Sequence, residues 1–249
     1  MKDEAANIAR ALSSVPQGSA ILAIDAESQD ASVSIAREHG AQVMVRPWAG
    51  FVEARKFAVG RVTTPWTFML DADEALDAHL RAALESLEPG AGIDGFAVRR
   101  ATFFCGRAMR HGAWGSDAPL RFFRTGRAQL SAKPVAGGAA ELHERWTVQT
   151  AVETACGSLL HYSYPTIAAY CAKFRRYTSL EAAGIRGSLF ALAAAAFLAL
   201  LRVPHALVVR SGWRDGWRGA FVALGSAAYP VVVSWKALAP SFRWQALRR

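Results

Sequence analysis

A chain of 249 residues, 52% apolar and 20% charged, can bury one full-sized core with an appended element and is more hydrophobic than a typical soluble domain. Its net charge of +9 is unevenly placed. Residues 1–160 carry 17 Lys/Arg against 18 Asp/Glu, whereas residues 161–249 carry 12 against 2. A neutral body with a basic, apolar tail argues against nucleic-acid binding, whose charge sits on the folded reading surface, and suits an anionic lipid surface.

Ala5–Val15 carries apolar residues at Ile8, Ala9, Leu12 and Val15, a helical spacing. The polar start of the chain reads as this helix and not as a secretory signal. Ala20–Ile24 is a short apolar run ending in Asp25, as in a buried parallel strand. Asp30 is placed to cap a helix to about His39, accepting from the open amides of its first turn. Gly40 closes that helix, and Ala41–Val45 reads as the next strand. Phe51–Val59 reads as a helix. Trp66–Leu70 reads as a buried strand ending directly in Asp71, Ala72 and Asp73, with a helix from about Ala75 to Leu87. This alternation predicts an α/β layer with a mostly parallel central sheet, whose ligands sit beyond the carboxyl ends of its strands. Asp25 and Asp71 both fall at that edge.

From Gly95 the texture changes. Phe96–Arg100 and Leu120–Arg124 read as strands separated by a Gly-rich loop holding His111, Trp114 and Asp117. Lys133–Ala140 is a Gly/Ala/Pro segment leading to Glu141, Leu142, His143 and Glu144. Pro165 opens a helix to about Ala183. The tail holds two charge-free runs, Gly187–Leu201 and Gly219–Trp235, each shorter than the roughly 18–20 residues of a spanning helix. Arg202, Pro204 and His205 interrupt the first, so both runs read as interfacial or re-entrant helices. Cys105, Cys156 and Cys171 are widely spaced, cannot all pair and show no metal-finger spacing, which suits a reducing compartment.

Asp71 and Asp73 form the sharpest chemical signal. Two carboxylates at i and i+2, where a buried strand meets a loop, can face one crevice and offer hard oxygen ligands to Mg²⁺ or Mn²⁺. Such an ion binds phosphate oxygens and stabilises a diphosphate leaving group. The bland alternative is that Asp73 caps the following helix. Asp25 can bind a base or ribose, or simply form a turn. Arg55 and Lys56 can reach a diphosphate, or belong to a solvated helix face. Glu144 can act as general base on an acceptor hydroxyl, with Asp117 as the rival base, and His143 can reach a metal or phosphate. No GxGxxG, P-loop or GxSxG motif occurs, which argues against dinucleotide oxidoreductases, P-loop enzymes and serine hydrolases of the nucleophile-elbow type.

Several blocks, in order, resemble family-2 glycosyltransferases with the GT-A fold: Met1–Leu12 (MKDEAANIARAL), Ile21–Asp30 (ILAIDAESQD), Arg46–Phe51 (RPWAGF) and Met69–Glu74 (MLDADE). His111–Asp117 (HGAWGSD), Leu120–Arg124 (LRFFR), Leu142–Glu144 (LHE), His161–Tyr164 (HYSY) and, more loosely, Gly212–Gly219 (GWRDGWRG) are similar to one branch of that family. That branch contains bacterial lipopolysaccharide-core β-1,4-glucosyltransferases. The resemblance implies that Asp25 and Asp71 hold the nucleoside and Asp73 the metal. It places Trp114, Asp117, Arg121, His143 and Glu144 around the acceptor and diphosphate, and implies inversion by direct displacement. Relatives carry an apolar strand just before the segment matching Lys2–Glu4, so the sheet is expected to lack its usual first strand.

Three segments follow: a nucleotide-sugar-binding half over residues 1–94, an acceptor-side half over 95–163 and a helical membrane-associating segment over 164–249. The expected activity is transfer of a hexose, with UDP-glucose as the leading donor, to a lipid-linked saccharide at the cytoplasmic face of the inner membrane. A non-catalytic membrane-bound relative and a nucleotidyltransferase are the competing readings.

Overall fold

A computed structural model of the chain describes residues 1–115, 117–132 and 144–238, with Ala132 and Glu144 described by their backbone alone. These residues form two compact units, one of residues 1–101, 117–132 and 144–163, the other of residues 102–115 and 164–238.

The first unit opens with α1 (Ile8–Ser13), which buries Ile8, Ala11 and Leu12 and is shorter at both ends than its apolar spacing predicts. Ser14 ends it by donating its hydroxyl to Ala11 O. β1 (Leu22–Asp25), α2 (Ser32–Glu38) and β2 (Gln42–Val45) form a βαβ unit in parallel register, Leu22 opposite Gln42 and Asp25 opposite Val45. Asp30 accepts from Ser32 N at 2.9 Å at the start of α2, and Gly40, at φ +78°, turns the chain out of it. Met1 lies beside the end of β1, its amino group donating to Ile24 O and its carbonyl accepting from Ala26 N. α3 (Phe51–Val59) has the predicted bounds.

The expectation of a mostly parallel central sheet needs correction. β3 (Trp66–Phe68) does not extend the β1–β2 pair. It belongs to a larger sheet with β4 (Glu74–Leu76), β5 (Ile93–Phe104), β6 (Arg107–Ala108), β7 (Leu120–Arg124) and β10 (Ala151–Tyr164), in the order β3-β7-β5-β10-β4 with β6 on β5. β3–β7, β5–β7, β5–β6 and β4–β10 are all antiparallel. Antiparallel partners need no long crossover, and the hairpin-rich stretch after Gly95 supplies them. β8 (Gln129–Ala132) and β9 (Glu144–Thr147) form a separate antiparallel pair.

The helix expected from Ala75 to Leu87 is also shorter. Glu74, Ala75 and Leu76 are buried and pair with β10, and α4 (Ala78–Glu85) starts only after Asp77 caps it, accepting from Leu80 N at 2.7 Å. The cap is therefore Asp77, which leaves Asp73 outside the helix. Gly157, at φ +91°, lets β10 pass the start of α4, where a Cβ would lie 2.6 Å from Asp77 Oδ1. Between sheet and helix sit Leu76, Leu80, Phe96, Val98 and Leu159, backed by Trp66, Phe68 and Phe122.

In the second unit α5 (Ile167–Ala183) is capped by Thr166, whose hydroxyl accepts from Ala169 N at 3.1 Å. α6 (Leu189–Pro204) and α7 (Gly216–Leu238) follow. The expectation that the tail helices are too short to span a membrane does not hold for their length. Helical backbone runs over Leu189–Val209, 21 residues, and Gly212–Leu238, 27 residues, each long and apolar enough to cross. Arg202, Pro204 and His205 do not end the first helix. It continues through a π turn at His205–Val209, where Arg210 N donates to His205 O at 3.0 Å. Phe104, Met109, Tyr170 and Val222 form this unit's aromatic-rich core.

Candidate active site

The loop after β3 gathers the charged residues. Asp71 is gripped from two sides: Oδ1 accepts from Arg55 Nη2 at 2.8 Å and Oδ2 from Arg121 Nη2 at 3.0 Å. Arg55 comes from α3 and Arg121 from β7, so the tertiary fold and not the local sequence builds the clamp. Arg121 Nη2 also donates to Glu74 Oε1 at 2.6 Å, and Glu74 Oε2 accepts from Asp71 N at 3.0 Å. Glu74 is wholly buried and Arg121 nearly so, while the Asp71 side chain keeps 35% of its surface open.

Burial disfavours a charged Asp71, but the guanidinium groups of Arg121 and Arg55 outweigh it and hold its carboxyl far below the usual carboxylate range. Burial pushes the Glu74 carboxyl up, against the opposing pull of Arg121. Burial also disfavours the Arg121 cation, yet Asp71 and Glu74 prevail and keep it firmly protonated. Asp71⁻ and Arg121⁺ are thus the persistent pair. A carboxyl held below its unfolded value of 3.8 stabilises the fold above that pH, and the contribution is lost as pH falls. Urea titrations from about pH 5 to about pH 3 are expected to show wild-type stability falling below about pH 4, with a shallower fall in Asp71→Asn. Equal slopes in the two proteins would contradict the clamp.

Asp73 points elsewhere. Its Oδ2 lies 3.4 Å from His161 Nε2, and its carbonyl accepts from Tyr162 N at 2.8 Å. His161 reaches this place because β10 pairs with β4, setting His161 opposite Glu74. Among the described residues no three His, Cys, Asp or Glu side chains gather to hold an ion. The residues therefore do not form an all-protein cage. They fit the mode in which one or two protein ligands hold Mg²⁺ or Mn²⁺ and substrate phosphates complete the shell.

The remaining predicted residues fall into different settings. Asp25 is fully buried, and its oxygens accept from Ser28 N at 2.9 Å and Ser28 Oγ at 2.6 Å, so it organises the turn after β1. Beside that turn, at the carboxyl ends of β1 and β2, lies a small, shallow cleft lined by Ile24, Ala26, Arg46, Trp48 and Ala54. Lys56 is exposed on α3. Asp117 bridges to Arg100 through backbone and side chain, and Arg100 Nη1 stands 3.8 Å from Glu74 Oε1. Asp117 is thereby linked through Arg100 and Glu74 to the Asp71 clamp. Trp114 belongs to the second unit, stacked on Tyr164 at 5.1 Å and edge-on to Phe104 at 6.2 Å. His143 and the Glu144 side chain lie outside the described residues.

Three residues of the network, Glu74, Arg100 and His161, were not singled out as site residues from sequence. Glu74 follows Asp73 directly and reads as the start of a helix. Only its pairing with a strand more than 80 residues later reveals it as a buried bridge.

The family profile described as Glycosyl transferase family 2 matches residues 1–140. An uncharacterized glycosyltransferase of Rickettsia felis is 41% identical over 85 residues, covering 34% of this chain and 30% of that protein. The match thus spans less than a third of the Rickettsia relative. An uncharacterized glycosyltransferase of Mycobacterium bovis is 34% identical over 92 residues, 36% of this chain and 42% of its own length. The lipopolysaccharide core biosynthesis glycosyltransferase LpsC of Rhizobium meliloti is similar over nearly the whole chain, 26% identical over 247 residues, or 94% of this chain and 88% of LpsC.

Proposed function

From the premise that this chain belongs to glycosyl transferase family 2, we propose that it is an inverting, metal-dependent glycosyltransferase acting on a lipid-linked saccharide such as lipopolysaccharide core. The favoured donor is UDP-glucose. The observation that carries this reading is the division of labour between the two acidic residues after β3. Asp71 is held by two arginines, while Asp73 faces His161.

In this account the nucleoside enters the cleft at the ends of β1 and β2, where ligands of α/β sheets bind, within the GT-A architecture that the family implies. Asp25 shapes the turn that borders it. Asp71, fixed by Arg55 and Arg121, presents its remaining open edge to the ribose. Asp73 and His161 would hold Mg²⁺ or Mn²⁺, which when bound supplies positive charge to the departing diphosphate. Lys56, exposed on α3, is a further cation for the diphosphate, and His143 and Trp114 are assigned to the diphosphate and acceptor side. Glu144 takes the proton of the acceptor hydroxyl as its oxygen bonds to the anomeric carbon and the bond from that carbon to the phosphate oxygen breaks. The nucleoside diphosphate leaves with the bonding electrons, and the anomeric centre inverts.

Calorimetric titration with UDP tests the metal assignment. UDP is expected to bind much more tightly with Mn²⁺ than without it, and His161→Ala to weaken the Mn²⁺-dependent part about tenfold. UDP affinity indifferent to Mn²⁺ in the wild-type protein would refute the assignment.

A further inference from the structure

The second unit presents an apolar surface, and the way its helices are covered decides how that surface can meet a membrane. α7 is lined by protein on one side along its whole length. Near its start Arg218 Nη2 donates to Cys105 O at 2.9 Å, and Phe221 stacks on Phe104 at 5.2 Å. Midway, Tyr170 of α5 fills the space beside Gly225, and Phe174 meets Tyr229 edge-on at 5.5 Å. At its end Lys236 Nζ donates to Thr178 Oγ1 at 2.8 Å and Ser179 Oγ at 2.9 Å.

The covering elements are not apolar. Arg107 and Arg110 on the 102–115 segment and Arg175 and Arg176 on α5 are all exposed. α6 lies along α7 in the opposite direction, since Gly187 before α6 abuts Ala237 at the end of α7. Its outer surface is open: Leu189, Phe190, Phe197, Leu200 and Leu201 are between 54% and 83% exposed.

A hairpin crossing the bilayer would carry those four arginines and the irregular backbone near residue 110 to membrane depth. Hydrocarbon accommodates neither without a large cost. We infer that the α6–α7 hairpin lies in the plane of an anionic bilayer, with α6 sunk among the acyl chains and α5 on the water side. The inference rests on the membrane-bound reading of the acceptor given above. Charge supports this occupant over a second copy of the chain: residues 161–249 carry 12 Lys/Arg against 2 Asp/Glu, so two copies would repel where an anionic leaflet attracts. Exposed Trp213, in the turn before α7, and Trp217, at its start, suit the headgroup layer.

The test uses the full chain with mixed phosphatidylcholine and phosphatidylglycerol vesicles. Single cysteines at Phe190, Phe197 and Leu201, and at Arg176 on α5, are labelled with an environment-sensitive fluorophore after the native cysteines are replaced by serine. Vesicles are expected to shift the α6 labels to the blue and expose them to lipid-borne quenchers, leaving the α5 label unchanged. Cysteines at Arg186 and Arg214 are both expected to react with an impermeant thiol reagent from outside. In the otherwise native chain, Arg202→Gln and Arg214→Gln are each expected to weaken vesicle flotation about fivefold. One end reacting only after vesicle lysis, or lipid quenching of the α5 label, would overturn the in-plane arrangement while leaving membrane binding intact. Blue-shifted α6 labels without vesicles would overturn it in favour of a second copy. Failure of the native chain to float at all would instead remove the membrane reading itself.

Discussion

Asp73→Ala is expected to lower metal-dependent turnover by about a hundred- to a thousandfold while leaving the fold in place. One tie between this residue and the sheet runs through its backbone, whose carbonyl accepts from Tyr162 N, and alanine keeps that bond. The side chain meets His161 at 3.4 Å and caps no helix, a task that falls to Asp77. Its loss removes that contact and takes away the carboxylate proposed to hold the ion against the leaving diphosphate. Turnover with saturating Mn²⁺, alongside urea unfolding of the same preparation, separates these effects. Undiminished turnover would refute the metal role, and lost turnover with a collapsed unfolding midpoint would indicate a structural one.

Glu144→Gln is expected to lower transfer by about a hundred- to ten-thousandfold, the range for removing a general base, with donor binding preserved. Asp117 is the rival. Arg100 already engages its carboxylate and in turn approaches Glu74, so Asp117 is built into the charged network that ends at Asp71. Asp117→Asn is accordingly expected to weaken donor binding along with rate, because it perturbs that network. Should Asp117→Asn abolish transfer with donor affinity unchanged while Glu144→Gln stays active, the base is Asp117.

The parts of the fold legible in sequence were those set by short-range patterns. α3 and β7 have the predicted bounds because an apolar face or run coincides with local propensity at Phe51–Val59 and Leu120–Arg124. The strand before Asp71 was visible for the same reason, although β3 ends at Phe68 and not at Leu70. What stayed hidden depends on partners distant in sequence. Whether β3 pairs with β2 or β7 is decided by a strand over 50 residues away, and so antiparallel pairing went unseen. Glu74–Leu76 carries no mark that separates a three-residue buried strand from a helix start. The arginine clamp on Asp71 unites residues 16 and 50 positions away, a convergence that single-residue chemistry does not announce. In the tail, charge-free runs were a poor measure of helix length, because Arg202 and Pro204 sit within continuous helical backbone.

The most direct test of a family-2 glycosyltransferase function is product analysis of the full chain on anionic vesicles containing a lipid-linked saccharide, with UDP-glucose labelled in the sugar and Mn²⁺ present. The account predicts label in the lipid-extractable saccharide, an equal amount of UDP released, and loss of both on chelation. Release of pyrophosphate in place of UDP, or retained donor binding with no label reaching the acceptor from any UDP-sugar tried, would contradict it.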